Sequence, residues 1–125
     1  MDKRKVLIVD DEEDFLMITK LNLEDSGKYE VMTLSDANGI VAQVNSFEPD
    51  VILLDILMPN VGGIDACKAL NADPKAKSIP IIVLSALGRD DDKLNAYKVG
   101  VVDYLVKPIE KDALIAKIEK ALRYK

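Results

Sequence analysis

Five polar side chains stand at the ends of short apolar runs, and their chemistries are complementary. Asp10 and Asp11 follow residues 6–9, Asp55 follows 51–54, Ser85 follows 79–84 and Lys107 follows 101–106. Carboxylates gathered in one place repel one another, raising each other's pKa or loosening the loops that carry them. A divalent cation resolves that conflict. An oxygen-only ligand set, without His or Cys, selects a hard ion, Mg²⁺ before Zn²⁺. Lys107 offers a point positive charge for a phosphate, and Ser85 a hydroxyl that can donate to a phosphate oxygen. A carboxylate, a metal, a lysine and a hydroxyl are the parts of a phosphoryl-transfer site. No glycine-rich loop is present to cradle a nucleotide, so the phosphoryl group is expected to arrive on a donor and to leave attached to Asp55.

Composition narrows the alternatives. Histidine is absent, which excludes Ser-His-Asp and Cys-His catalysis, His-ligated metals and a histidine phosphocarrier. Lys plus Arg is 17 against 22 Asp plus Glu, a net charge of −5, which argues against direct nucleic-acid binding. A single cysteine, Cys67, cannot form an internal disulfide and suits a reducing compartment. No apolar run approaches the roughly 18–20 residues of a membrane span, and the N-terminus has no secretory pattern. We therefore expect a cytoplasmic protein that does not enter the membrane. A length of 125 residues allows one domain, residues 1–125.

The elements that must position these residues are legible as periodicity. Residues 6–9, 29–34, 51–54, 79–84 and 101–106 are strand-length and rich in β-branched or aromatic side chains. The first, third and fourth are apolar at consecutive positions, as in parallel strands covered on both faces. Helical spacing separates them: Ile64, Cys67 and Leu70, and most clearly Leu114, Ile115, Ile118, Ala121 and Leu122. Gly27 and Gly100 suit helix C-termini, Pro49 separates the second helix from the third strand, and residues 71–78 read as a longer loop. Alternating strands and helices specify an α/β fold with a parallel sheet and right-handed crossovers. The Asp10–Asp55 interval is long enough for two βα units of roughly 20–30 residues. Strand two is thereby displaced to the edge, which sets strands one and three side by side and Asp10, Asp11 and Asp55 in one crevice.

Taken in order, the motifs Val6-Leu7-Ile8-Val9-Asp10-Asp11-Glu12, Val51-Ile52-Leu53-Leu54-Asp55-Ile56-Leu57-Met58-Pro59, Gly63, Ile82-Val83-Leu84-Ser85-Ala86 and Asp103-Tyr104-Leu105-Val106-Lys107-Pro108 resemble the receiver domains of two-component response regulators, over residues 5–122. The resemblance implies a doubly wound, flavodoxin-like domain of five parallel strands in order 2-1-3-4-5 with five helices. It implies that Asp55 takes a phosphoryl group from a sensor histidine kinase or a histidine phosphotransfer protein. Asp11, Asp55 and the backbone carbonyl of Leu57 would ligate Mg²⁺ directly, and Asp10 mainly through water. Lys107 would pair with phosphoryl oxygens, Ser85 would move toward the phosphoryl group and Tyr104 would turn inward behind it. The Lys107–Pro108 bond is expected to be cis. A downstream protein is expected on the face of helix four, strand five and helix five, and the resemblance separately allows a phosphorylation-dependent homodimer. Leu57 and Leu87, flanking the acyl phosphate, imply a dry approach and slow self-dephosphorylation.

Each residue also has a plainer reading. Residues 10–14 could be a solvated helix start, where acids favour the dipole, and Glu12, Glu13 and Asp14 are expected to be that. Ser85 could be a cap, Lys107 a surface lysine and Tyr104 core; Cys67 is expected to be a small buried hydrophobe. A calcium loop fails because Phe15 stands where its turn requires Gly. Other functions stay open at this point. An aspartyl-phosphate hydrolase would want Asp-x-Asp, whereas Glu12 stands two after Asp10. A flavin carrier would want a Ser/Thr/Gly-rich loop where the acids stand. A degenerate adaptor would lack site residues that are all present. The favoured reading is a phosphorylation-dependent switch rather than an enzyme.

Overall fold

The computed structural model describes residues 3–56, 62–86, 97–98 and 100–123. Strands β1 (Arg4–Val9), β2 (Tyr29–Leu34), β3 (Val51–Asp55), β4 (Ile81–Ser85) and β5 (Asp103–Val106) form one parallel sheet in the order β2-β1-β3-β4-β5. Helices α1 (Glu13–Asp25), α2 (Ile40–Phe47) and α3 (Gly63–Ala72), and a C-terminal helix (Lys111–Arg123), cover it. Of the five helices expected, the described residues hold four. The one between β4 and β5 lies outside them except for Tyr97 and Lys98, which are helical. Among the described residues no helix is long and apolar enough to cross a membrane.

Consecutive apolar residues give the sheet two buried faces. Leu7, Val9, Ile52, Leu54, Ile81, Val83 and Tyr104 belong to the core shared with α2 and α3. Val6, Ile8, Val51, Leu53, Ile82 and Leu84 belong to the core shared with α1 and the C-terminal helix. Successive strand residues point to opposite faces, so a run without alternation serves both layers at once. In the C-terminal helix Leu114, Ile118 and Ala121 are buried, with Ile115 and Leu122 packed beside them, as the spacing predicts. Lys120 and Arg123 occupy its last turn.

The structure corrects several boundaries. β1 begins at Arg4, two residues earlier than the apolar run, because Arg4 and Lys5 pair with Tyr29 and Glu30. β4 begins at Ile81 rather than 79. Ile79 closes a 3₁₀ turn (Ala76–Ser78) by donating its N–H to Ala76, and Pro80 has no N–H to donate. β5 begins at Asp103, although the Val102 N–H still reaches Ile81 O at 2.8 Å. The expected loop 71–78 is more ordered than its composition suggests. α3 runs to Ala72, and the Asp73 carboxylate then accepts the N–H groups of Ala76 at 2.8 Å and Lys75 at 3.1 Å. Those donors, Ala76 foremost, hold the Asp73 carboxyl below the usual range.

Gly63 ties the second layer to the site. A Cβ there would lie 2.3 Å from the Ile56 Cα and 2.7 Å from the Asp55 carbonyl oxygen, so α3 approaches the end of β3 as only glycine allows. At Gly62 the nearest atom to a built Cβ is a side-chain oxygen of Asp65 at 3.8 Å. Gly63→Ala is therefore expected to destabilise the domain by about 1–3 kcal/mol in urea unfolding, with Gly62→Ala costing less than about 1. Equal effects would contradict the close approach. Cys67 is fully buried on α3, and burial pushes its thiol up to about 12. Its alkylation at pH 8 is expected to track opening of the core, accelerating steeply through the urea transition, whereas rapid labelling of the native protein would contradict this burial.

Candidate functional site

Register alone brings the candidate residues together. Val9 pairs with Leu54, so Asp10 and Asp55, each the next residue, emerge side by side. Asp55 pairs with Leu84, and Ser85 with Val106, so Ser85 and Lys107 come next along the same edge. The Lys107 N–H donates to the Ser85 carbonyl at 2.8 Å, and the Ile56 N–H to that of Leu84 at 3.3 Å. Both bonds continue the ladder beyond the strands and fix the loops that carry the side chains. The site thus lies at the carboxyl ends of β1, β3, β4 and β5, where open α/β sheets bind ligands.

Asp10, Asp11 and Asp55 each turn one carboxylate oxygen into a common space, all within 4.8 Å of one another. Asp10 and Ser85 are fully buried and Asp55 is 4% exposed, while Asp11 faces solvent. Burying carboxylates is costly unless they are paired, and Lys107 supplies the pairing. Its Nζ lies 2.6 Å from Asp10 Oδ2, 2.8 Å from Glu12 Oε1 and 3.6 Å from Asp55 Oδ2. Burial alone would lower the Lys107 pKa. The bonds to Asp10 and Glu12 and the charges of Asp10 and Asp55 outweigh it and hold the pKa above the ordinary lysine value. The other Asp10 oxygen, Oδ1, accepts the Glu12 N–H at 2.9 Å. Asp10 is thus committed on both sides, to a backbone donor and to the ammonium. The Lys107–Pro108 peptide is cis, as expected.

The donor set fits a hard divalent ion. Three converging carboxylates with no nitrogen or sulfur among them suit Mg²⁺, and among the described residues the Lys107 ammonium leaves them negative on balance. Leu57, expected to contribute a backbone carbonyl, lies outside the described residues, as does Leu87. Tyr104 is 8% exposed and packs into the core on the α2–α3 side, although Val102 and Val106, its neighbours on the same strand face, are 48% and 41% exposed. Glu13 and Asp14 are first-turn residues of α1, with Glu12 at its cap.

Two partners of Lys107 escaped the sequence reading. Glu12 was expected only to start the helix, yet it also pairs with the ammonium. Phe15 figured only as the residue that rules out a calcium loop, yet its ring centroid lies 4.3 Å from Lys107 Nζ. Both contacts span the chain from α1 to the end of β5, where no local periodicity signals them. A cavity of about 450 Å³ opens at the opposite end of the sheet, among Arg4, Lys28, Tyr29, Glu119, Leu122 and Arg123. It contains none of the candidate residues.

Known proteins share this arrangement. Residues 6–119 match the family model of the response regulator receiver domain. Among curated relatives, the alkaline phosphatase synthesis transcriptional regulatory protein PhoP of Bacillus subtilis is 35% identical over 120 residues, covering 96% of this chain and 49% of its own length. The chain spans about half the length of the curated relatives it matches. Among solved structures, Vibrio cholerae chemotaxis protein CheY4 superposes with a TM-score of 0.90 at 30% identity, covering 96% of this chain and 99% of that one. The receiver domain of sensor histidine kinase PA1611 from Pseudomonas aeruginosa, solved with magnesium in its active-site cleft, gives 0.88 at 25% identity, covering 98% and 99%. The matched residues run from within β1 into the C-terminal helix and include Asp10, Asp11 and Asp55, and the chain belongs to the receiver domains of two-component response regulators.

Proposed function

We propose that this domain accepts a phosphoryl group on Asp55 from a phosphohistidine of a sensor kinase or phosphotransfer protein, and that it acts as a switch rather than as an enzyme with a turnover substrate. The observation that carries the reading is the nearly buried Asp55 carboxylate, with Asp10 and Asp11 within 4.8 Å and the Lys107 ammonium 3.6 Å away. An Asp55 oxygen attacks phosphorus, the P–O bond to Asp55 forms as the P–N bond to the donor imidazole breaks, and the departing nitrogen keeps the electron pair. Asp10, Asp11 and Asp55, with the Leu57 carbonyl, would hold Mg²⁺. When bound, the ion would neutralise charge between the carboxylates and the phosphoryl oxygens.

The chain's own residues do the rest. Asp10, engaged by Lys107 and the Glu12 N–H, holds the lysine at the rim of the crevice. The phosphoryl group adds roughly −1.5 to −2 charge and strong acceptor oxygens, and so competes with Glu12 and Asp10 for the ammonium. Ser85, buried and next after Leu84, the register partner of Asp55, is the hydroxyl that responds, and Tyr104, buried in the α2–α3 core, is the side chain that would turn inward behind it. Such a group biases a second conformation only through contacts that differ between the two states. Lys107 and Ser85 are those contacts. The reading extends to one domain over residues 1–125 and to a cytoplasmic location, which the lone Cys67 thiol suits. It also includes a downstream partner, or a second copy, on the face that carries β5 and the C-terminal helix, where Val102 and Val106 are exposed.

Incubation with a small acyl-phosphate donor, read by intact mass, is expected to add one phosphoryl group when Mg²⁺ is present. Little should be added in EDTA and none in Asp55→Asn. Unchanged mass in a folded parent, with the donor and with a purified kinase alike, would overturn the reading. The surplus of negative charge gives a second expectation. In EDTA at low salt, Asp11→Asn should raise the thermal midpoint by about 2–5 °C, because it removes a repelling carboxylate whose side chain is exposed. A lower midpoint would mean that Asp11 is held by favourable contacts rather than tolerated.

A further inference from the structure

Lys107 is held by more than carboxylates. The lysine side chain is a flexible four-carbon stem ending in a point charge, and nothing in its own geometry fixes where the ammonium sits. Here it is 11% exposed and bounded on one side by Asp10, Glu12 and Asp55. The Phe15 ring bounds it at 4.3 Å from Nζ to the centroid, well inside the roughly 6 Å over which a ring face attracts a cation. Phe15 is itself fixed by packing. It joins the core between α1 and the C-terminal helix, lining a small cleft with Ile18, Leu23, Pro108, Ile109 and Leu114.

The carboxylates cannot position the ammonium for an incoming phosphoryl group by themselves. The two shortest contacts, at 2.6 and 2.8 Å, draw it toward Asp10 and Glu12, and the contact to Asp55 is the longest at 3.6 Å. The aromatic face attracts the ammonium without occupying it as a hydrogen-bond acceptor, and it excludes water from that side. It therefore restrains Nζ while leaving its N–H groups free to exchange one oxygen partner for another.

We propose that Phe15 is a positioning residue for phosphorylation, holding the Lys107 ammonium beside Asp55 through its ring face. The inference rests on the reading of Lys107 as the phosphoryl-facing cation, and the test separates the two. Initial rates of phosphoryl gain from a small acyl-phosphate donor with Mg²⁺ would be measured by intact mass for the parent, Phe15→Leu, Phe15→Trp, Lys107→Ala and the Phe15→Leu/Lys107→Ala pair, with melting curves confirming that each is folded. Leucine keeps an apolar side chain in the cleft but has no ring. Phe15→Leu is expected to slow the parent by about three- to tenfold, Phe15→Trp to retain the parent rate or exceed it, and Phe15→Leu to add nothing once Lys107 is gone.

Equal slowing of the parent and of Lys107→Ala would make Phe15 a packing residue only and overturn the inference. A parent rate indifferent to Phe15→Leu, with Lys107→Ala slow, would overturn it while leaving the role of Lys107 intact. Indifference to Lys107→Ala would remove the underlying reading, and the inference with it. Should Lys107→Ala be too slow to measure, the order of the single variants decides: Trp and Phe faster than Leu supports the ring's role, and equal rates overturn it.

Discussion

Negative charge gathered at one end of a parallel sheet, and offset among the described residues by the Lys107 ammonium, is the constraint on which the rest of the site depends. Two unit charges 4.8 Å apart repel by roughly 3 kcal/mol at an effective dielectric of about 20. The attraction of Lys107 for Asp10 and Asp55, at 2.6 and 3.6 Å, is of the same order. One cation can hold the cluster together but cannot satisfy it. Among the described residues the crevice is thereby left with a deficit of positive charge that a divalent ion would fill. A repulsive cluster survives only where the backbone beneath it is over-determined.

That constraint comes from the sheet. β1, β3 and β4 bury side chains on both faces, so a shift of any one strand would disturb two cores at once. The registers Val9 with Leu54 and Leu54 with Val83 set Asp10, Asp55 and Ser85 along one edge without help from the loops. Gly63 lets α3 close against the end of β3, and the Lys107 N–H to Ser85 carbonyl bond extends the ladder past β5. Function and fold meet at the same residues: the last position of a strand, and the first after it.

Much of this was legible in the sequence, for a physical reason. Burial on both faces writes itself as consecutive apolar residues, so the central strands and the polar residues that end them could be read directly, and the Asp10–Asp55 interval placed strand two at the edge. Boundaries were less legible. Arg4 and Lys5 pair as strand although their side chains are charged, and Ile79 is apolar yet sits in a turn capped from Asp73. Least legible were the contacts of Lys107 with Glu12 and Phe15. Glu12 looked like a helix-start acid and occupies that cap as well. Its second role depends on where a lysine 95 residues later ends its strand. Such contacts carry no period and appear only once the sheet is closed.

A divalent cation in the crevice would neutralise the same carboxylates as Lys107 and so compete with it. Calorimetric titration of the unphosphorylated domain with Mg²⁺, for the parent and for Lys107→Met, tests this competition most directly, since methionine keeps an unbranched apolar stem and removes the charge. Mg²⁺ is expected to bind more tightly to Lys107→Met than to the parent, with the difference shrinking as salt is raised. Equal or weaker binding in a folded variant would contradict it, and would mean that Lys107 organises the carboxylates rather than offsetting their charge.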